Sequence, residues 1–147
     1  MLPNFKPHLW LRNGHLQTLT AALIPRTLQH TRLEQVLLAD EDTLELHWLD
    51  ENNPQAPTVL LLHGMEGSLH SPYIQGMLAV LKSLGWRAVV LHMRGCQGRM
   101  NSLPQCYHAG KTDDLEFTLN LIQTRLPECK TIFAIGYSLG GNQLLKF

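Results

Sequence analysis

The chain has 147 residues, 44% of them apolar, which is enough for one domain with a real core and excludes a disordered sequence. Twelve basic and twelve acidic residues cancel, and without a run of either sign this balance argues against a nucleic-acid surface or a membrane-attracting basic face. Three scattered cysteines, Cys96, Cys106 and Cys129, form no C-x-x-C pair; they fit a reducing compartment and inert, buried thiols better than a disulfide scaffold.

Residues 1–30 read as a lead-in segment, extended with one short helix. They lack a signal peptide's basic start and apolar run, so the expected location is cytoplasmic. Residues 31–147 read as the N-terminal part of a single domain. Residues 33–38 and 43–49 form two strands around a turn at 39–42. The second strand alternates, with Leu44, Leu46 and Trp48 on one face and Glu45 and His47 on the other. Residues 51–57 are a loop of turn formers. Then the pattern changes. Residues 58–62 are continuously apolar, as in a strand buried on both faces of a parallel sheet, and this longest apolar run is too short to span a bilayer. A helix over 72–84 follows, with Gly85 placed to stop it, then a buried strand at 87–92. A helix over 113–126 carries Asp113 and Glu116 at capping-box spacing, with Pro127 beyond it. A third apolar strand at 131–135 leads into a helix from Leu139. Buried strands alternating with amphipathic helices predict an α/β fold, a doubly wound and mostly parallel sheet with an antiparallel N-terminal edge.

The sharpest chemical signal is Gly136-Tyr137-Ser138-Leu139-Gly140 between the last strand and the last helix. A G-x-S-x-G in that context is the pattern of a nucleophile elbow, a turn so tight that the serine hydroxyl projects above the sheet. Gly136 and Gly140 are needed because a Cβ there would strike neighbouring backbone. The bland alternative is a glycine-rich turn with a helix-capping serine. The second signal, His63-Gly64-Met65-Glu66-Gly67-Ser68, directly follows the strand at 58–62. By position, the backbone amides of Met65 and Leu139 are the candidate oxyanion-hole donors, and the Met65 side chain lines an acyl pocket. His63 and Gly64 are read as loop support, and Arg94 as a loop-tying arginine bonding backbone carbonyls. Asp113 and Asp114 are read as helix N-terminal residues rather than a catalytic acid. Ligands in open α/β sheets bind beyond the carboxyl ends of the strands, so His63, Arg94 and Ser138 should share one rim. No histidine pair has metal-ligand spacing, and no metal or organic cofactor is implied.

Several longer segments add to these motifs: Gly14-His15-Leu16-Gln17-Thr18, Ser71-Pro72-Tyr73, His92-Met93-Arg94-Gly95-Cys96, Tyr107-His108-Ala109-Gly110 before Asp113-Asp114, and the run to Asn142. On these the chain resembles the YheT-like branch of the α/β-hydrolase fold family, a group of esterases. The resemblance covers almost the whole chain. It implies a serine hydrolase of carboxylic esters, acting on a small-molecule ester or acyl substrate with a Ser-Asp-His triad whose nucleophile is Ser138. Triad order in this fold is Ser, then Asp or Glu, then His. All eight histidines precede Ser138, and none of the nine residues after it is acidic or histidine. The chain is therefore expected to be a fragment truncated after the elbow and inactive alone, with the strand at 131–135 as an exposed apolar edge. Two rival classes share the scaffold: a non-catalytic binding module, and another acyl chemistry such as acyl transfer or thioester hydrolysis. Epoxide or haloalkane chemistry would place Asp where Ser138 stands.

Overall fold

A computed structural model describes residues 6–24, 26–96 and 106–147, without the Ala22 side chain. Five strands form one mixed sheet in the order β1-β2-β4-β3-β5. The hairpin of β1 (Arg32–Leu37) and β2 (Thr43–Leu49) is antiparallel, and β2 also runs antiparallel to β4 (Arg87–His92). β3 (Thr58–Leu62) pairs in parallel with β4 on one side and with β5 (Ile132–Gly136) on the other. The continuous apolar runs explain this arrangement. Every residue of β3 and β4 is buried, because helices cover both faces of the central sheet.

Alternate side chains serve two cores. Leu44, Leu46, Trp48, Leu60, Leu62, Val89 and Leu91 pack with Leu115 and Ile122 of α3 (Asp113–Arg125), and Leu144 of α4 (Leu139–Lys146) joins them. On the other face Val59, Leu61, Ala88 and Val90 meet Ile74, Leu78 and Leu81 of α2 (Pro72–Ser83). The sheet is thus doubly wound, as expected. α2 has Pro72 at its start and ends where Gly85 takes φ +66°, the left-handed conformation a terminating glycine supplies. β5 lies at the sheet's end, and Phe133 on it stays 45% exposed, in line with the expected exposed edge.

The lead-in holds a single 3-10 turn (Leu9–Leu11) and a helix, α1 (Gly14–Leu23), whose Asn13 side chain caps it by accepting from the His15 amide. Two local expectations need correction, the capping box and the buried cysteines. The α3 N-cap is Thr112, without a side-chain bond, so Asp113 is inside the first turn and the capping box does not form. On the second face of β2, Glu45 is buried and His47 half-buried, with the His92 ring of β4 4.6 Å from that of His47. The cysteines are not buried: Cys106 is exposed, and Cys96 and Cys129 are half-buried. Among the described residues, no helix is long and apolar enough to cross a membrane.

Candidate active site

The register brings three strand ends together. Leu62 at the end of β3 pairs with Leu91 on one side and Gly136 on the other, so the loops after β3, β4 and β5 leave from one rim. His63, Arg94 and Ser138 follow those ends, where the sequence places them.

Ser138 takes φ +51° and ψ −113°, a combination that collides with a Cβ and that L-residues adopt only where surrounding structure enforces it. The enforcement is visible in the hydrogen bonds. The Tyr137 amide donates to the Leu62 carbonyl at 3.0 Å, the Gly140 amide to the Tyr137 carbonyl at 2.9 Å, and the Asn142 amide to the Ser138 carbonyl at 3.0 Å. The backbone reverses from strand to helix within two residues, which leaves no room for side chains. A Cβ on Gly136 would lie 2.5 Å from the Gly140 carbonyl, and one on Gly140 would lie 2.7 Å from the His63 carbonyl oxygen. Ser138 is exposed, and its hydroxyl makes no capping bond to α4. The capping-serine alternative therefore does not describe this turn.

The loop after β3 closes over the same point. An ideal Cβ on Gly64 would sit 3.3 Å from the Ser138 Cβ, a contact so tight that a side chain there would make its neighbour shift by a few tenths of an ångström. The Gly64 amide donates to the Tyr73 hydroxyl at 3.0 Å, and the Tyr73 ring packs on Tyr137 with centroids 4.5 Å apart. A turn from Gly64 to Gly67 (3.0 Å) carries Glu66 at φ +51°, and the Glu66 amide donates to the Tyr107 hydroxyl at 2.8 Å. Neither the Met65 amide nor the Leu139 amide is engaged by another group of the described residues. The Met65 side chain is 70% exposed and so does not line an enclosed pocket in this chain.

His63 is fully buried and fixed from both nitrogens: Nδ1–H donates to the Gly64 carbonyl at 2.7 Å, while Nε2 accepts the Met93 amide at 3.1 Å. Burial holds its pKa below the usual value, so the ring is a neutral bracket joining the loops after β3 and β4. Arg94 is also buried, and carboxylates are among its partners, which its reading as a loop-tying arginine on backbone carbonyls did not name. It grips Asp114 with two bonds (3.0 and 2.8 Å) and reaches Asp40 at 2.6 Å and Asp42 at 3.4 Å. Burial opposes its charge, yet the bonds to Asp114 and Asp40 hold its pKa above the ordinary value. Asp113 and Asp114 do lie in the first turn of α3. The Tyr107-His108-Ala109-Gly110 segment receives α4: Gln143 donates to the His108 carbonyl, Asn142 to Ala109 and Lys146 to Gly110, at 2.9–3.0 Å.

Sequence reasoning missed a polar knot behind the loop after β3. Glu45, His47 and His92 each bring a ligand-capable atom within 4.8 Å of the others. The pair Glu45 and His92 face each other in the β2–β4 register, and the ring centroids of His47 and His92 are 4.6 Å apart. This grouping was invisible in the spacing because His92 lies more than 40 residues after Glu45 and His47 in the chain. A metal ion does not fit it well. His92 Nε2 accepts the Leu69 amide at 2.7 Å, so the proton of the neutral ring sits on Nδ1, the nitrogen left 3.8 Å from Glu45. Burial first, then the neighbouring histidines, push the His92 pKa down to about 3. Gln75 completes the support: its Nε2 donates to the Leu69 carbonyl at 2.6 Å, and its Oε1 accepts the Gln29 amide at 2.7 Å.

Residues 57–147 match the model of the alpha/beta hydrolase fold. YheT, an esterase-named protein of Escherichia coli strain K12, is 41% identical over 95% of this chain and 42% of its own length. Human phospholipase ABHD3 is 31% identical over 97% of this chain and 37% of its own. The chain thus spans less than half the length of these relatives. Among solved structures, the esterase Pf2001 of Pyrococcus furiosus superposes with a TM-score of 0.64 at 20% identity, covering 81% of this chain and 49% of that one. A strained serine turn on a doubly wound sheet and a family match over most of the chain agree: this chain belongs to the α/β-hydrolase fold family, in its YheT-like branch.

Proposed function

We propose that the protein is a serine hydrolase of carboxylic esters and that Ser138 is its nucleophile. The observation that carries this reading is the Ser138 backbone at φ +51°, with its side chain exposed and unused as a cap. Strain of this kind costs of order 1–3 kcal/mol, and a capping or surface serine has no use for it. In the reaction, Ser138 Oγ attacks the ester carbonyl while a histidine takes its proton. The amides of Met65 and Leu139 stabilise the oxyanion, and water then releases the acyl group. His63, Gly64, Gly136 and Gly140 hold the two amides and the serine in place, and Arg94 fixes the loop after β4. The esterase and phospholipase names of the relatives support an ester or acyl-lipid substrate.

The histidine and its carboxylate partner come, on this proposal, from sequence beyond residue 147, matching the remaining length of the relatives. The 147-residue chain alone then has negligible turnover, since loss of triad members costs about four to six powers of ten in kcat. A fluorophosphonate should label the longer protein at Ser138 and should not label Ser138→Ala. Normal esterase turnover of p-nitrophenyl butyrate by the 147-residue chain would contradict the triad assignment. Absence of labelling in the longer protein would sink the nucleophile itself.

A further inference from the structure

We propose that the hydroxyl of Tyr73, assisted by that of Tyr107, positions the oxyanion amide of Met65; the inference rests on Ser138 being the nucleophile. An amide serves as an oxyanion donor only if the loop that carries it is already in place when charge develops. In the turn from Gly64 to Gly67 the Gly67 amide donates to the Gly64 carbonyl at 3.0 Å and closes the turn. Two other amides donate out of the turn to phenol oxygens, Gly64 to Tyr73 at 3.0 Å and Glu66 to Tyr107 at 2.8 Å. The two phenols therefore hold the residues on either side of Met65. Of the four amides in the turn, that of Met65 is the one engaged by neither the turn nor a phenol.

Each phenol is carried by a part of the chain that also touches the elbow. Tyr73 sits in the first turn of α2, one residue before Ile74, which is fully buried in the core on that side of the sheet. Its ring packs on Tyr137, the residue before Ser138. An ideal Cβ on Gly67 would lie 2.5 Å from the Tyr73 hydroxyl, so glycine at 67 keeps open the place that the hydroxyl occupies. Tyr107 precedes the segment 108–110 that receives Gln143, Asn142 and Lys146 of α4. Its hydroxyl shares a further hydrogen bond with the Cys96 thiol beyond β4. Movement of the loop after β3 relative to the serine is thus resisted from two sides.

The two bonds are not equivalent. Gly64 is buried and Glu66 exposed, so water can replace the Tyr107 oxygen more readily than that of Tyr73. Loss of the Tyr73 hydroxyl strands a buried N–H, and the turn must shift to satisfy it. Misplacing a group by ~1 Å costs about a hundredfold in rate, so a partial shift should cost roughly tenfold. Phenylalanine keeps the ring and its packing on Tyr137, so a Tyr73 that served packing alone would lose nothing by the change.

The test is Tyr73→Phe, Tyr107→Phe and the double variant in the longer protein, with p-nitrophenyl butyrate as substrate and a trifluoromethyl ketone as inhibitor. Ser138 Oγ bonds to the ketone's carbonyl carbon, the π pair passes to oxygen and the serine proton to the histidine, so inhibitor affinity reads the oxyanion site. Rates are expressed per serine labelled to completion by a fluorophosphonate, so unfolded protein does not count. Tyr73→Phe should lower kcat and inhibitor affinity about tenfold each, with KM within about twofold, because the lost contact is made to the transition state. Tyr107→Phe should lower both roughly threefold, and the double variant about thirtyfold. A role in stability alone would lower the urea midpoint and leave kcat per labelled serine and inhibitor affinity unchanged. That result in Tyr73→Phe, or a raised KM with kcat held, overturns the inference and leaves the nucleophile standing. Wild-type protein that takes no label overturns both.

Discussion

Replacing Ser138 by glycine should make the protein more stable while removing its proposed nucleophile. At φ +51°, ψ −113° any side chain carries strain of order 1–3 kcal/mol, which glycine escapes. Glycine also frees the unfolded chain, at a cost of about 0.5–1 kcal/mol relative to alanine. The difference leaves Ser138→Gly about 1 kcal/mol more stable than Ser138→Ala, which keeps the Cβ and therefore the strain. At ordinary positions the order of these two substitutions is reversed, so the sign alone is diagnostic. Equilibrium urea unfolding reads it: with a slope of about 2 kcal/mol per molar, the midpoint should rise by ~0.5 M. A glycine variant no more stable than the alanine variant would refute the strained-elbow argument.

The close approaches at the rim predict the opposite for an added methyl group. Gly140→Ala places a Cβ 2.7 Å from both the His63 carbonyl oxygen and the Leu62 side chain, and should lower unfolding free energy by about 3 kcal/mol. Arg94→Met strands Asp40, Asp42 and Asp114 around a buried apolar side chain. It should cost about 3–5 kcal/mol in the same assay, with Arg94→Lys recovering only part because it cannot form the two-bond grip on Asp114. For pH, His47, His63 and His92 all have pKa values below the usual value, chiefly through burial. The unfolded chain therefore takes up protons near pH 6.5 that the folded chain refuses, and stability is full above that pH and falls below it. Each such histidine contributes up to about 1.4 kcal/mol per pH unit. For His92 the loss continues toward pH 3. His92→Gln, which keeps an acceptor for the Leu69 amide, should reduce the slope between pH 6 and 4; an unchanged slope would show that His92 is not one of the groups responsible.

Much of the fold is legible because its strongest signals are local. The unbroken apolar runs in β3 and β4 require burial on both faces, and the glycines around Ser138 have no other use than to let backbone pass backbone. Gly85 and Pro72 mark the ends of α2 for reasons internal to the helix. What escapes the sequence depends on partners far along the chain. Glu45 and His47 look like a solvated strand face until β4 and the loop at Leu69 cover them. For Arg94, nothing in its own neighbourhood announces Asp40, Asp42 or Asp114. The Tyr73 and Tyr107 hydroxyls read as ordinary aromatic positions, yet each receives an amide from the loop after β3.

The four-residue cluster around Arg94 has a mechanical consequence. Asp40 and Asp42 belong to the β1–β2 turn and Asp114 to α3, so one guanidinium fastens the front hairpin and a distant helix to the loop after β4. Thermal fraying of that hairpin cannot proceed without loosening the rim that carries Ser138. The front of the molecule and its chemistry should therefore open in a single event, and amides of β1, β2 and the first turn of α3 should exchange with solvent deuterium at a common rate.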